Sequence, residues 1–109
     1  MRVAVVILNW NGKAFLERYL PLVTKYSTSE TEIIVADNAS TDDSIDFLKS
    51  KYPDVRLIQN PKNGGFAYGY NTALSQVKSE YYVLLNSDVE VTPNWIAPVV
   101  EMLDKNPDV

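Results

Sequence analysis

Four short apolar runs alternate along the chain with segments of helical spacing, and this alternation limits the possible folds more than any other feature. Residues 3–8 (VAVVIL) are apolar without a break, the pattern of a central strand buried on both faces. Residues 32–36 (EIIVA) predict a second buried strand, 55–59 (VRLIQ) a third and 81–85 (YYVLL) a fourth. Phe15, Leu16, Tyr19, Leu20 and Val23 predict a helix over residues 13–25. Pro21 should kink that helix or end it early, because proline lacks a backbone donor. Ile45, Phe47 and Leu48 predict a helix over 42–51, closed before Pro53. Phe66, Tyr70, Ala73, Leu74 and Val77 predict one over 66–77. After a short extended piece at 89–91, Thr92-Pro93 reads as N-cap and first residue of a helix over 94–105, with Pro98 kinking its early turns. The order βαβαβαβα predicts an α/β fold: a parallel sheet with helices on both faces, joined by right-handed crossovers. At 109 residues it is one domain by size.

In such sheets ligands bind outside the carboxyl ends of the strands. Those ends hold the unusual residues here: Asn9-Trp10-Asn11, Asp37-Asn38, Asn63-Gly64-Gly65 and Asn86-Ser87-Asp88. A parallel sheet would gather these carboxylates, amides and the indole at one cleft. Histidine and cysteine are both absent. This excludes zinc fingers, thiolate sites, cysteine nucleophiles and Ser-His-Asp triads, so any metal must be held by oxygen. A net charge of −4 argues against nucleic acid as a partner. The turn after the first strand, Asn11-Gly12-Lys13, is not a G-x-G-x-x-G loop. Gly64 and Gly69 are followed by Tyr70 and Asn71, which rules out a Walker A loop. A bound diphosphate would need another neutraliser, for which a cation at Asp88 is the natural choice.

Structural roles compete at several positions. Asp37 can cap a turn through its side chain, and Trp10 can pack over the sheet edge. Asp42 and Asp43 read as helix-start charges, Gly64 and Gly65 as residues of a turn needing positive φ, and Tyr68 and Tyr70 as packing residues. Asn71 is a poor helix former within a predicted helix, which suggests a buried hydrogen bond or a ligand contact.

Four blocks, VAVVILNWNGKAFLERYL, IIVADNASTDDS, NPKNGGFAYGYNTAL and YYVLLNSDVEVTPNWI, together resemble the N-terminal half of a family 2 glycosyltransferase of the GT-A fold, in that family's order and over nearly the whole chain. The version of the blocks is similar to the rhamnosyltransferase-like branch. The resemblance implies a Rossmann-like sheet of strand order 3-2-1-4, a UDP- or dTDP-sugar donor and a divalent cation, Mg2+ or Mn2+. Asp37 matches the aspartate that accepts a hydrogen bond from the pyrimidine N3–H. Asn9 and Trp10 match the Thr-Tyr pair that flanks the base. Asp88 matches the metal-binding last aspartate of the D-x-D motif, whose first position is here Asn86, so the motif reads N-x-D. The expected nucleotide contacts are Asn9, Trp10, Asn11, Asp37, Asn63, Gly64, Asn86 and Ser87, with Asp88 for the metal.

The reaction implied is inverting glycosyl transfer to the hydroxyl of a glycan or lipid-linked acceptor. The family's general base lies well beyond the D-x-D block, so it is expected past Val109. The chain then reads as a truncated donor half, inactive alone. Its location is expected to be cytoplasmic, or peripheral at the inner face of the membrane. An uncovered sheet edge would favour self-association. Two other classes compete, a non-catalytic nucleotide-binding module and a sugar nucleotidyltransferase; the latter usually has a Gly-rich basic loop after the first strand.

Overall fold

The computed structural model describes residues 3–27 and 30–106. The elements follow the expected alternation: β1 (Val3–Asn9), α1 (Lys13–Tyr26), β2 (Thr31–Asp37), α2 (Ser44–Lys51), β3 (Arg56–Gln59), α3 (Gly65–Leu74), β4 (Tyr81–Asn86) and α4 (Ala97–Lys105). The strands form one sheet in the order β3-β2-β1-β4, and every pairing is parallel. This is the 3-2-1-4 order that the resemblance implies.

Every residue of β1 is buried, as its unbroken apolar run requires. Side chains alternate between the two faces of a strand, so β1 feeds two cores. Val3, Val5 and Ile7 pack with Leu16, Leu20 and Val23 of α1, Leu48 of α2, and Ile96. Ala4, Val6 and Leu8 pack on the other face with Ile34, Ala36, Ile58, Ala73 and Val77. Each fully buried Leu, Ile or Val contributes roughly 1.5–3 kcal/mol of transfer free energy, so this strand anchors both layers.

Several element ends differ from the sequence expectation. α1 runs through Pro21 to Tyr26. Pro21 and Glu17, whose carbonyl loses its helical partner, both lie on the exposed face, where water can satisfy the freed group. α3 stops at Leu74, and Val77 is buried from the turn beyond it. α4 starts at Ala97 rather than 94, because Asn94 takes a left-handed φ of 59° in a turn after Pro93. Pro98 therefore sits in the first helical turn, where its missing N–H breaks no bond, and it does not kink the helix. The segment at 89–91 joins no strand. Asn71 is exposed on α3, so the buried hydrogen bond expected of it is not formed.

β4 is the sheet's outer strand on the β1 side. Tyr82 and Leu84 are exposed on one of its faces, and its far edge has no partner strand among the described residues. This is the edge on which the self-association expectation rests. Among the described residues, no helix is long and apolar enough to cross a membrane.

The approach of α3 to the sheet depends on Gly69. A Cβ there would lie 2.5 Å from Leu8 Cδ1 and 2.7 Å from Asn38 Nδ2. Leu8 can turn aside, but the Asn38 amide is buried and hydrogen-bonded on both sides. Gly69→Ala is expected to destabilise the fold by about 1–3 kcal/mol. Urea denaturation checks this; an unchanged midpoint would show that the contact yields freely.

Candidate functional site

Parallel register brings the strand ends level. Asn9 pairs with Asp37, Leu8 with Asn86, and Asp37 with Gln59. The ladder extends one step further, with the Asn38 N–H donating to Asn9 O at 2.8 Å and the Asn60 N–H to Asp37 O at 2.7 Å. A row of polar residues therefore crosses the carboxyl edge of the sheet.

Asp37 lies in the foundation of this row. It is only 1% exposed. Its Oδ1 accepts from Asn9 Nδ2 at 2.9 Å and Ser40 Oγ at 2.7 Å, and its Oδ2 accepts from the Ser40 N–H at 2.8 Å. A carboxylate only accepts, so the Asn9 amide must turn Nδ2 toward it and Oδ1 away. That Oδ1 has no hydrogen-bond partner among the described residues and faces Gly12. A Cβ on Gly12 would sit 2.5 Å from it and 2.9 Å from Ser87 Oγ, so the turn into α1 needs glycine.

A clasp joins the turns after β1 and β2. Asn11, at φ 50°, accepts at Oδ1 from the N–H groups of Thr41 at 2.7 Å and Asp42 at 3.1 Å. Its own N–H donates to Ser40 Oγ at 2.9 Å. Asp42 accepts from the Lys13 N–H at 3.2 Å and the Ser44 N–H at 3.0 Å. One carboxylate thus serves the first residues of both α1 and α2, where the helix dipoles favour negative charge. Partial burial works to raise the Asp42 pKa; donors around it, Ser44 first and then the Lys13 backbone, outweigh that and hold it below the usual carboxylate range.

Carboxamides tie β2, β3 and α3 together. Asn60 Nδ2 donates to Asn38 Oδ1 at 2.7 Å and to Gly69 O at 3.2 Å. Asn38 Nδ2 donates to Gly65 O at 3.2 Å. Asn63 Oδ1 accepts from the Gly65 N–H at 3.2 Å, at the start of α3. Gly65 adopts φ 90°, the left-handed geometry that the sequence assigned to this turn.

Above these networks opens a cavity of about 310 Å³. Of the residues singled out in the sequence, Trp10, Asn63, Asn86, Ser87 and Asp88 line it. Asn9 and Asp37 lie beneath it, fully buried, and Asn11 and Gly64 lie outside its wall. The wall also holds Asn38 and Gly65, which the sequence placed at the strand ends without a ligand contact, and Phe15 and Phe66, which it assigned to helix packing. Phe15 and Phe66 fit the apolar pattern of their helices, yet they are 48% and 64% exposed. Their signal was position: each lies near a helix start just after a strand end. Asn38 follows Asp37, and the two side chains leave the backbone toward different surroundings.

Asp88 is the one carboxylate on the wall. Among the described residues, no group of three or more acidic, histidine or cysteine side chains is placed to hold a metal ion by itself. Asp88 and the Ser87 hydroxyl offer hard oxygen donors of the kind that suit Mg2+ or Mn2+, provided that water and a bound diphosphate supply the remaining ligands; Asn86 Oδ1 is engaged by the Tyr70 hydroxyl.

Residues 4–109 match the profile of glycosyl transferase family 2. The chain belongs to that family. An uncharacterized glycosyltransferase of Haemophilus influenzae is 27% identical over 107 residues, covering 95% of this chain and 33% of the relative. The chain thus spans about a third of the length of that curated relative. Staphylococcus aureus TarS 1-349, solved in complex with UDP-GlcNAc, superposes with a TM-score of 0.85 at 20% identity, over 98% of this chain and 32% of that one. The mannosyltransferase PcManGT of Pyrobaculum calidifontis, solved with GDP-Man and Mn2+, gives a TM-score of 0.75 at 25% identity, over 88% and 32%. These likenesses make the four-stranded sheet a GT-A sheet.

Asp42 gives the clasp a pH signature. A carboxyl whose folded pKa is depressed adds stability above its unfolded pKa and loses it as pH falls through the folded value. Stability is therefore expected to fall below the ordinary value of 3.8, and Asp42→Asn should flatten that part of the profile. Thermal melts between about pH 5 and pH 2.5 check this; parallel profiles for the two proteins would refute it.

Proposed function

We propose that this family 2 glycosyltransferase chain binds a nucleotide-diphospho-sugar, a UDP- or dTDP-sugar, as donor for inverting transfer to an acceptor hydroxyl. The observation that carries the reading is the cavity itself, with aromatic and amide walls at the level strand ends and a single carboxylate, Asp88. The exposed indole of Trp10 offers a flat face for the base, and its area favours stacking. Asn63, Asn86 and Ser87 offer hydrogen bonds to ribose and phosphate oxygens. Asp37 acts from below, fixing Asn9 and the turn that carries Trp10.

In the transfer, the acceptor oxygen bonds to the anomeric carbon as the bond to the nucleotide diphosphate breaks. A bound Mg2+ or Mn2+, held by Asp88, would supply neutralisation of the charge on the departing diphosphate. The acceptor's proton passes to a general base. Asp88 is the one wall carboxylate and is assigned to the cation, so the described residues are read as the donor half of the site. The acceptor is a glycan or lipid-linked hydroxyl. The sugar is assigned to the hexosyl or rhamnosyl class on the sequence blocks alone. A cytoplasmic enzyme at the inner membrane face fits that pair of substrates.

Calorimetry with UDP, dTDP and GDP, with and without Mn2+, tests the reading. A pyrimidine diphosphate is expected to bind, more tightly with Mn2+. Asp88→Ala should abolish the Mn2+ gain, while Trp10→Ala should weaken binding about tenfold in both conditions. Absence of binding for every nucleotide would sink the proposal; a gain from Mn2+ that survives Asp88→Ala would sink the role of Asp88.

A further inference from the structure

Tyr70 stands behind the cavity and reaches its wall through one bond. Its ring packs beside the cluster of Ala4, Val6, Leu8 and Ala73. Its hydroxyl lies 3.1 Å from Asn86 Oδ1. Asn86 lines the cavity and Tyr70 does not, so the hydroxyl grips the amide from outside. Asn86 is also fixed in the backbone, opposite Leu8 at the end of β4. Burial raises the Tyr70 pKa, so the phenol keeps its proton. The phenol therefore has a proton to give, and its partner in the structure is Asn86 Oδ1.

We propose that Tyr70 is a positioning residue for donor binding: it holds the Asn86 carboxamide with Oδ1 turned outward and Nδ2 turned into the cavity. The proposal rests on the donor reading above and deepens it. The first position of the N-x-D motif then meets the ligand as a hydrogen-bond donor. A carboxamide so held gives N–H to an anionic diphosphate or a ribose oxygen, and its carbonyl is not offered to a cation. Asp88 alone then faces the cation. Loss of a charge at position 86 is matched by a donor of fixed direction, so part of the diphosphate recognition needs no metal.

The test is a double-mutant cycle with Tyr70→Phe and Asn86→Ala, read by UDP affinity with and without Mn2+. Tyr70→Phe keeps the ring that packs against the sheet and removes only the hydroxyl. It is expected to weaken UDP binding about three- to tenfold without Mn2+. In the Asn86→Ala background the same change should have no further effect. Tyr70→Phe should also raise the ratio of affinities with and without Mn2+, since the released amide can then turn Oδ1 inward; a merely structural loss would leave that ratio unmoved. Nitrogen-15 spectra of the free protein give a second readout, in which Tyr70→Phe should shift the Asn86 side-chain amide signals. Additive effects in the cycle, or unshifted Asn86 signals, would overturn the proposal while leaving the donor reading intact. A wild-type chain that binds no nucleotide would overturn both.

Discussion

Everything at the working edge of this protein depends on one buried carboxylate. Asp37 is removed from water, and desolvation of an ionised group costs several kcal/mol unless donors replace its hydration. Asn9 and Ser40 supply those donors from the end of β1 and the turn after β2. The geometry then propagates. The carboxylate decides which way the Asn9 amide turns, and that turn sets what can occupy position 12, where α1 begins. Ser40, held by Asp37, in turn accepts from the Asn11 N–H, beside Trp10 on the cavity wall. Asp37 thus shapes the cavity from beneath its wall.

The clasp and the carboxamide ladder extend the same logic sideways. Asn11 and Asp42 lock the first two turns to the starts of α1 and α2. Asn38 and Asn60 lock the third strand end to α3. In the buried carboxamide ladder each bond restricts the geometry, because breaking it leaves a desolvated group without a partner, while the clasp ties the loops together at the exposed surface. The cavity walls are therefore set by short loops whose side chains bond across strands, rather than by the helices alone.

The fold was legible because its signals are local or strongly patterned. The unbroken run in β1 has the pattern of a central strand, and the alternation of strands and helices left a parallel sheet as the simple solution. Helix ends were less legible at prolines. Pro21 is tolerated on an exposed face, and the start of α4 is displaced by the left-handed Asn94; both depend on tertiary surroundings. The cavity wall was legible at Trp10, Asn63 and Asn86-Ser87-Asp88. The division of labour between Asp37 and Asn38 was not, since both are polar residues at a strand end and only the three-dimensional contacts show which is engaged below. Phe15 and Phe66 were hidden for the opposite reason: helical periodicity assigns them to the core, while their place in the first helical turns carries them past the sheet.

The composition of the wall has a consequence for how the protein meets its surroundings. Apart from Asp88, its polar side chains are carboxamides and a hydroxyl, and it contains no imidazole and no thiol. Carboxamides keep the same donors and acceptors at any pH a cell reaches, and the side chain that ordinarily changes charge between about pH 5 and 8 is histidine. The amide and hydroxyl part of the wall therefore offers the same hydrogen bonds across that range. This edge of the sheet is thus a surface of constant pattern rather than one built to switch with mild acid.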